Sequence, residues 1–543
     1  MSRIRSILAI AACILTFTTG QAVQIRKTPG SRIPEYILPT DRDNPALWKG
    51  SSSPLRTRAV PPGSYANNDV PRTGNREYVL VLVDFKDHPF LLKDTVALRE
   101  RYNRMFNEKG YTDTTTYSHK GILFKGQTGS VSEYFHDQSY GKFTPTFRIV
   151  GPIHPSQGYA YYGQGDDYRI YTLVQEICDS LTASGEIDLA EYTRNGNIDQ
   201  LSIIYSGRGE NYSGSDPYTI WPQASILDYN KNGINEIKFA CTCEIYWDSD
   251  SIIDGIGTFC HEFSHTLGLP DFYNTSSSSD SETNAAMGFW SIMDYGCYEN
   301  EGFSPVGYTA FEKYSLGWMD LEEIQGPGKY YLHDISCEPD PDTNVYSAFR
   351  LSTGQDDNFI ILENHIKSGW YKYHATQGLM VTSVSYYYNS WIGNTVNSVK
   401  SDKHYHILPA DNDYSRYSNS GDLFPYQDID SITTQGMPEL TVGTSIPLYS
   451  IFDIKKEDDV ISFTARSDNQ SGMEIQQATD ISINVGEGYI SVDAPIGSRL
   501  SVHEISGRSV IETVITKPHQ TFSLSAHGIW IVKCGDTVRK IQK

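Results

Sequence analysis

The segment from His261 to Asp271 reads HEFSHTLGLPD and constrains the fold more than any other part of the chain. His261 and His265 are four residues apart, so on a helix their imidazoles lie on one face and can bind one metal ion. Glu262 lies beside the first histidine, where a carboxylate that does not bind the metal can act as a general base. The spacing therefore predicts a helix that carries two zinc ligands and a base.

The residues after the two histidines predict how the helix ends. Gly268 can adopt a positive φ and Pro270 cannot continue a helix, so the chain must turn there. Asp271 then lies where its carboxylate can supply a third ligand, which leaves one position of a tetrahedral zinc open. Two alternatives remain: Asp271 only caps the loop, or a glutamate from a later element is the third ligand. The candidate glutamates are Glu282, Glu299 and Glu301.

A second pattern downstream, S-I-M-D-Y, spans residues 291–295. Its Met293 lies in a predicted turn, where a polarisable thioether can lie under a metal site, although a single methionine is more often part of a core. Together with HExxHxxGxxD, this pattern resembles the metzincin clan of zinc endopeptidases. Within that clan, the chain resembles most the immune inhibitor A family of secreted bacterial metallopeptidases. The likeness covers about residues 76–465 and is carried by YVLVLVDFKD (78–87), SVSEYFHDQSYGKF (130–143), GNIDQLSIIYSGRGE (196–210), Trp221-Pro222, GFWSIMDYG (288–296), FEKYSLGWM (311–319) and, more weakly, ILENH (361–365) and GDLFP (421–425).

The resemblance implies an α+β, metzincin-like zinc peptidase domain that hydrolyses peptide bonds in proteins. The zinc ligands that it implies are His261, His265 and Asp271. It also implies that Glu262 activates the zinc-bound water as the catalytic base. By the same comparison, Met293 forms the Met-turn, and Tyr295 binds the metal or steadies the oxyanion.

The first residues of the chain predict its compartment. Arg3 and Arg5 precede an apolar run at 7–17, and small residues follow, which is the layout of a secretory signal peptide over residues 1–22. Cys13 lies in a stretch that could be a lipoprotein signal, but the apolar run continues past it. The run is too short to cross a bilayer and no later window is long enough, so no transmembrane anchor is expected. We expect a secreted, extracellular or cell-surface protein.

Residues 23–75 are rich in Pro, Arg, Ser and Asn with little apolar periodicity, which predicts an extended, propeptide-like segment. We expect a zymogen, since a trypsin-like protease could remove this segment, although the basic residues could merely keep an extended tail soluble. No cysteine lies between Gln24 and Asn75, which excludes a cysteine-switch latency. The candidate cleavage residues are Arg56, Arg58, Arg72 and Arg76.

Three folded regions are expected after this segment. Tyr78 to Phe85 is almost entirely apolar, as in a strand buried on both faces, and opens the catalytic domain at 76–320. Residues 321–465 contain short strand patterns between Gly, Pro, Asn and Asp turns, so a β-rich domain follows. A polar linker and an alternating pattern at 466–543 predict a small C-terminal β-sandwich.

The C-terminal region also resembles the sorting domain of the type IX secretion system. The likeness is carried by VHEISGRSV (502–510), SAHGIWIVK (525–533) and Arg539-Lys540. The resemblance implies passage across the outer membrane by contact with the secretion machinery, followed by release or surface attachment. An ordinary terminal β-sandwich is the alternative.

Net charge limits the possible partners, and cysteine content limits the possible disulfides. Lys+Arg 44 against Asp+Glu 66 gives a net charge of −22, which repels phosphate backbones and argues against nucleic acid as a partner. Of the 8 Cys, Cys13 would leave with the signal peptide, and the odd number that remains cannot all pair. The cysteines are too sparse for a disulfide framework, and one or two disulfides stay open. Cys241 and Cys243 lack the spacing of a structural zinc site.

Two Asn-containing turns could bind Ca²⁺ as a structural cofactor. Asp228, Asn230 and Asn232 match the start of a calcium loop, but Phe239 stands where the bidentate glutamate is needed. Asn232-Gly233 therefore predicts the turn of a β-hairpin rather than an ion site. The second turn contains Asn195, Asn197 and Asp199.

The sequence predicts a secreted, monomeric zinc endopeptidase that acts on proteins or peptides. The alternative is a non-catalytic surface adhesin or carbohydrate-binding protein with a peptidase-like scaffold, suggested by the 38 Tyr and 8 Trp. A scaffold has no need of Glu262 beside two convergent histidines, which favours the enzyme. A zinc peptidase with a glutamate ligand would keep the chemistry and change the fold.

Overall fold

The computed structural model describes residues 70–164, 169–213, 218–275, 286–399, 401–414, 420–434, 440, 442, 445–467, 481–486, 489–494, 498–515, 519–524, 528–534 and 537–542. The predicted signal peptide and most of the propeptide-like segment lie outside these residues. Among the described residues, no helix is long and apolar enough to cross a membrane.

The first folded region is built on a mixed sheet. Its strands are β1 (Gly74–Val83), β2 (Thr116–His119), β3 (Ile122–Lys125), β4 (Phe143–Ile153), β5 (Thr193–Arg194), β6 (Asn197–Arg208), β7 (Gln223–Lys231) and β8 (Ile234–Ile245). The order in the sheet is β4-β1-β6-β8-β7, and β5 pairs with β6. Strands β4, β1, β6 and β8 are parallel, whereas β7 lies at the edge, antiparallel to β8. A short hairpin, β2–β3, lies apart from this sheet.

The helices of this region cover both faces of the sheet. They are α1 (Thr95–Asn107), α2 (Val131–Gln138), α3 (Tyr159–Gly163), α4 (Ile170–Ser184), α5 (Glu210–Ser213), α6 (Gly257–Thr266) and α7 (Ala310–Ser315), with 3₁₀ segments at Leu189–Tyr192, Gly288–Trp290 and Tyr295–Gly302. Val79 and Val81 of β1 face a core that α4 completes. Leu80 and Leu82 face the opposite core, with Phe263 of α6. Side chains of a strand alternate between faces, so the predicted strand buried on both sides is confirmed.

The folded region begins before residue 76. Val70 is buried in the core that contains α6. The indole Nε1 of Trp318 donates a hydrogen bond to the backbone carbonyl of Arg72 over 2.7 Å, and the backbone N–H of Gly74 donates to Lys142. These contacts show that residues 70–75 belong to the folded region as well. A cut at Arg72 or Arg76 would remove part of the fold.

The β-rich region expected after residue 320 is present, and one face of it shares a core with α6. Its elements are β9 (Glu322–Glu323), β10 (Gly328–Leu332), β11 (Ala348–Gln355), β12 (Asn358–His365), β13 (Gly378–Ser385), α8 (Tyr388–Ile392), β14 (Tyr405–Ile407), β15 (Tyr449–Glu457) and β16 (Val460–Ser467), with a 3₁₀ turn at Gly369–Tyr371. They form the sheets β14-β13-β12-β11-β9 and β10-β16-β15. Phe359 and Ile361 of β12 face the core that contains α6. Ile360 and Leu362 face the second core, between the two sheets.

The C-terminal region is a small β-sandwich, as predicted. Its strands are β17 (Ser482–Gly486), β18 (Tyr489–Asp493), β19 (Arg499–Glu504), β20 (Ser509–Val514), β21 (His519–Ser523), β22 (Ile529–Cys534) and β23 (Thr537–Gln542). They form the sheets β17-β18-β21 and β20-β19-β22-β23. Ile490, Val502 and Trp530 belong to the buried cluster that the two sheets share. The resemblance to a type IX sorting domain stays a prediction.

Two further expectations concern turns and thiols. Asn232 and Gly233 both have positive φ and join β7 to β8, which confirms the predicted hairpin. Asn195 and Gly196 likewise turn the chain between β5 and β6, and Asp199 forms an ion pair with Arg194 at 2.8 Å. The described cysteines, Cys178, Cys241, Cys243, Cys260, Cys297, Cys337 and Cys534, are all free thiols. The disulfides that the sequence left open are therefore absent from the described residues.

Candidate metal centre

Three ligand atoms converge at the end of α6. Oδ1 of Asp271 lies 3.1 Å from Nε2 of His261 and 3.2 Å from Nε2 of His265. The two imidazole rings stand at 86°, with centroids 4.8 Å apart. All three residues are buried. The spacing of the histidines and the turn after them thus bring together the three residues that the sequence predicted.

The hydrogen bonds around the histidines orient Nε2 of each ring towards Asp271. Nδ1 of His261 lies 2.8 Å from the carbonyl of Ile292, and Nδ1 of His265 lies 2.8 Å from the carbonyl of Leu269. A carbonyl only accepts, so each Nδ1 carries the hydrogen and each Nε2 keeps a lone pair. Oδ1 of Asp271 is buried without a hydrogen-bond partner. Three acceptors that face one another in this way fit a divalent metal ion.

The charge of the site suits a cation as well. Burial would raise the pKa of Asp271, but His265 and His261 beside its carboxylate hold that pKa well below its usual range. The carboxylate is therefore ionised at neutral pH. An ionised oxygen between two imidazoles is a donor set that zinc binds well.

Glu262 is the buried carboxylate next to this centre. Burial raises its pKa to about 8, although His261 acts in the opposite direction and Asp271 adds to the rise. The backbone N–H of Ala224, in the edge strand β7, donates a hydrogen bond to the Glu262 carboxylate and lowers the pKa. A cation at the three ligands would oppose this rise and lower the pKa of Glu262.

The turn at residues 291–295 connects the two ligand-bearing segments. The carbonyl of Ile292 orients His261, as described above, and the carbonyl of Met293 accepts a hydrogen bond from the backbone N–H of Phe272 over 2.8 Å. The Met293 side chain is buried in the core that contains α6. The turn therefore contacts both α6 and the loop of Asp271 through its backbone.

Tyr273 lies beside the ligands, although no motif in the sequence pointed to it. The Tyr273 ring lies nearly parallel to that of His261, with centroids 6.5 Å apart. Burial, the charges of Asp271 and Glu262, and a side-chain hydrogen bond to Asp271 raise the pKa of Tyr273 well above its usual value. Tyr295 instead packs against Phe289, with centroids 6.1 Å apart. The role of the Tyr295 hydroxyl stays a prediction.

The β-rich region reaches the ligand loop from the other side. Oδ1 of Asn394 accepts a hydrogen bond from the backbone N–H of Asp271 over 2.6 Å, and Nδ2 of Asn394 donates to Oδ2 of Asp271 over 2.6 Å. The indole of Trp391 donates to the carbonyl of Gly268 over 3.2 Å, and Nδ2 of Asn397 donates to the carbonyl of Phe272 over 2.8 Å. No sequence signal pointed to these residues, because 123 positions separate Asn394 from Asp271.

The glutamates weighed as rival ligands occupy other positions. Oε2 of Glu301 accepts a hydrogen bond from the hydroxyl of Tyr246 over 2.7 Å, and burial raises the pKa of Glu301 to about 7. Glu299 and Glu301 lie in an interrupted 3₁₀ segment and not on a helix face. Glu282 lies outside the described residues. Among the described residues, the three-ligand group contains Asp271 and neither of these glutamates.

A helix with two histidines and a turn that returns a carboxylate to them defines the site of a metallopeptidase. More particularly, residues 68–320 match the immune inhibitor A peptidase M6 catalytic domain. Residues 68–320 are therefore similar to the catalytic domain of the immune inhibitor A peptidases, which confirms the family resemblance seen in the sequence. The match supports the metalloendopeptidases as the class of enzyme.

Two relatives extend the match. The pre-pro-metalloprotease PrtV of Vibrio cholerae serotype O1 is 25% identical over 339 residues, which cover 54% of this chain and 34% of that protein. Immune inhibitor A of Bacillus thuringiensis subsp. alesti is 24% identical over 330 residues, which cover 51% of this chain and 44% of that protein. The chain thus spans less than half the length of either relative.

Proposed function

We propose that the chain is a secreted, zinc-dependent endopeptidase that hydrolyses peptide bonds in proteins. His261, His265 and Asp271 bind the zinc ion, and Glu262 is the general base. One observation carries this proposal: the buried Oδ1 of Asp271, which has no hydrogen-bond partner, faces Nε2 of both histidines. Zinc held there supplies Lewis-acid chemistry, because it polarises a carbonyl and makes water more acidic.

Glu262 moves the protons of the reaction. Its carboxylate takes a proton from the water that attacks the carbonyl carbon and then delivers it to the nitrogen of the leaving amine. Its buried position beside the ligands lets the carboxyl group hold that proton between the two transfers. The hydroxyl of Tyr273, which bonds to Asp271 in the resting site, would turn to the developing oxyanion as its donor; Tyr295 is the second candidate for this role.

The edge strand of the sheet offers the surface for an extended substrate. Among the described strands, β7 pairs with β8 alone. The backbone N–H of Ala224 contacts Glu262, so the edge of β7 and the base are adjacent. A peptide that adds to a free strand edge gains main-chain hydrogen bonds whatever its side chains are. Such a peptide would pass its scissile bond beside Glu262.

Secretion and activation belong to the same proposal. The layout of residues 1–22 supports export, and a segment that ends before Val70 supports synthesis as a zymogen. The Vibrio relative is a pre-pro-metalloprotease. The C-terminal β-sandwich would contact a type IX secretion machinery. We also propose a monomer, with Ca²⁺ as a structural cofactor at one of the Asn-containing turns.

The test compares the secreted full-length chain with two variants on an unstructured protein substrate. We expect cleavage that a chelator stops and added zinc restores. Glu262→Gln should lower kcat by at least 10²-fold and still bind one zinc ion, because the base does not ligate the metal. His265→Ala should lose both zinc and activity. Cleavage that survives the chelator would contradict a zinc peptidase.

The result also addresses the adhesin alternative. A folded, zinc-loaded and N-terminally processed chain that cleaves no protein would favour a non-catalytic role. That alternative gives Glu262, buried beside a metal ligand, no function. The enzyme is therefore the function that the site supports best.

A further inference from the structure

Asn394 forms a closed pair of hydrogen bonds with the third proposed ligand. Its Oδ1 accepts from the backbone N–H of Asp271 and its Nδ2 donates to Oδ2 of the same residue, both over 2.6 Å. These two bonds engage the Asp271 backbone and one carboxylate oxygen at once. The other oxygen, Oδ1, is the one that faces His261 and His265.

The surroundings of Asn394 hold its amide in place. Its backbone has a positive φ of 53°, and its own carbonyl accepts a hydrogen bond from the hydroxyl of Thr275 over 2.7 Å. Trp391, one turn earlier, is buried between the rings of Phe272 and Phe311, with centroids 5.8 Å and 5.7 Å away. The segment that carries Asn394 is therefore attached at several points to the loop that carries Asp271.

We propose that Asn394 is a positioning residue that selects Oδ1 of Asp271 as the metal ligand, so that the β-rich region completes the metal centre. This inference rests on the proposed function, in which Asp271 binds zinc. The segment that matches the peptidase family, residues 68–320, ends well before Asn394. It supplies all three ligands but not the amide that orients the third.

The physical reason is that a carboxylate has two equivalent oxygens and a rotatable bond. Tyr273 also bonds to the Asp271 side chain, but the Asn394 amide is the group that holds both the Asp271 backbone and Oδ2. Without it, Asp271 could turn either oxygen towards the histidines or bind the metal through both. Nδ2 of Asn394 removes this freedom, because a buried Oδ2 that leaves its donor loses a charge-assisted hydrogen bond. Groups that orient a ligand in this way typically contribute 10–100-fold to metal affinity.

Two variants of the full-length chain test the inference. Asn394→Asp keeps the size and the oxygen that accepts from the Asp271 backbone, but it places a second carboxylate where Nδ2 donates. Asn394→Ala removes both bonds. The matched control is Asn389→Ala, on helix α8 just before Asn394, where Nδ2 of Asn389 donates to the hydroxyl of Tyr387 at the surface.

Zinc affinity of the apoprotein is the first measurement, by competition with a chromophoric chelator. We expect Asn394→Ala to bind zinc about 10–100-fold more weakly than wild type and Asn394→Asp to bind at least as weakly, whereas Asn389→Ala is unchanged. The second measurement is the visible absorption of the Co²⁺-substituted chain, which reports ligand geometry. We expect the Asn394 variants to shift this spectrum and the control to match wild type.

The outcomes separate this inference from the proposed function. If the wild-type chain binds no zinc, or if His265→Ala binds zinc as well as wild type does, the proposed function fails. If the wild-type chain does bind zinc through His265, but Asn394→Asp has the same affinity within twofold and the same Co²⁺ spectrum, only the positioning role is overturned. Thermal unfolding of the apoproteins completes the test. An Asn394 variant that unfolds at the wild-type temperature but binds zinc weakly supports the positioning role. If Asn394→Ala does not fold, the isosteric Asn394→Asp provides the test.

Discussion

The backbone carbonyl of Ile292 accepts a hydrogen bond from Nδ1 of His261 over 2.8 Å. This bond makes the 291–295 turn part of the metal centre through its backbone, since it fixes the tautomer and the ring orientation of the first ligand. The Met293 side chain contributes to the core beneath α6. The two roles can be separated by substitution, because a change of side chain leaves the carbonyl of the neighbouring residue in place.

Met293→Leu should therefore leave the metal centre intact. Leucine has nearly the same volume, so we expect a stability loss below about 1.5 kcal/mol and a zinc affinity within about threefold of wild type. Thermal unfolding and zinc competition on the full chain measure the two effects. A tenfold loss of zinc affinity in a folded Met293→Leu chain would show that the thioether itself acts on the metal site.

Tyr273 and Tyr295 can be compared by removing one hydroxyl at a time. Tyr273→Phe should lower kcat about 10-fold or more, because its hydroxyl bonds to Asp271 beside the proposed metal ligands. Tyr295→Phe should have a smaller effect, since its ring packs against Phe289. Steady-state kinetics on a peptide substrate, with zinc content measured in parallel, check both. The reverse order would return the oxyanion role to Tyr295.

Gly268→Ala should weaken both stability and zinc binding. Gly268 has a φ of 106°, and an added Cβ would lie 2.9 Å from Nη2 of Arg72. The strained backbone costs on the order of 1–3 kcal/mol. It also displaces the neighbouring Leu269, whose carbonyl orients His265.

Gly317→Ala is the matched control for this variant. Gly317 also has a positive φ, of 75°, but no neighbouring atom lies within 4 Å of its Cβ position. We expect it to lower the unfolding temperature with no change in zinc affinity. Equal zinc affinities for wild type and Gly268→Ala would contradict the coupling between the turn and His265.

The residue at which the mature chain begins should affect its thermal stability. A chain that begins at Thr73 keeps all of β1 but loses the buried Val70 and the bond from Trp318 to Arg72. The lost burial and hydrogen bond are together worth about 2–3 kcal/mol, so this chain should unfold at a lower temperature than one that begins at residue 69. N-terminal sequencing of the secreted protein should find a start before Val70. A mature, active protein that begins at Glu77 would contradict this boundary.

The titration of Asp254 should make the stability of the fold depend on pH, independently of the metal centre. Burial raises its pKa from 3.8 to about 7, against hydrogen bonds from Tyr212 and Gly255. A raised pKa means that the folded state holds the proton more tightly than the unfolded chain. The stability that this group contributes is therefore complete below about pH 4 and is lost as the pH rises towards 7.

Asp254→Asn removes this titration. Relative to wild type, the variant should gain stability between pH 4 and pH 8, by an amount on the order of 2–4 kcal/mol. Unfolding temperatures of both proteins at pH 4.5, 6 and 8 measure the difference. A difference that stays constant over this range would show that Asp254 titrates normally.

The amino-acid sequence was sufficient for the features that backbone geometry sets over a few residues. Four-residue spacing places His261 and His265 on one face of a helix, and Gly268 and Pro270 end that helix wherever it packs. Asn232-Gly233 likewise turns a hairpin for local steric reasons. Such features follow from backbone geometry, so they could be predicted without knowledge of what surrounds them.

Contacts between distant segments could not be predicted in this way. The bond from Asn394 to Asp271, the burial of Val70 and the contact of Ala224 with Glu262 join residues that no local rule connects. Only packing of the β-rich region against α6 brings the Asn394 amide to the carboxylate. The sequence thus determined which side chains can bind the metal, and the tertiary structure determined which groups orient them, because orientation depends on neighbours that the folded chain brings close.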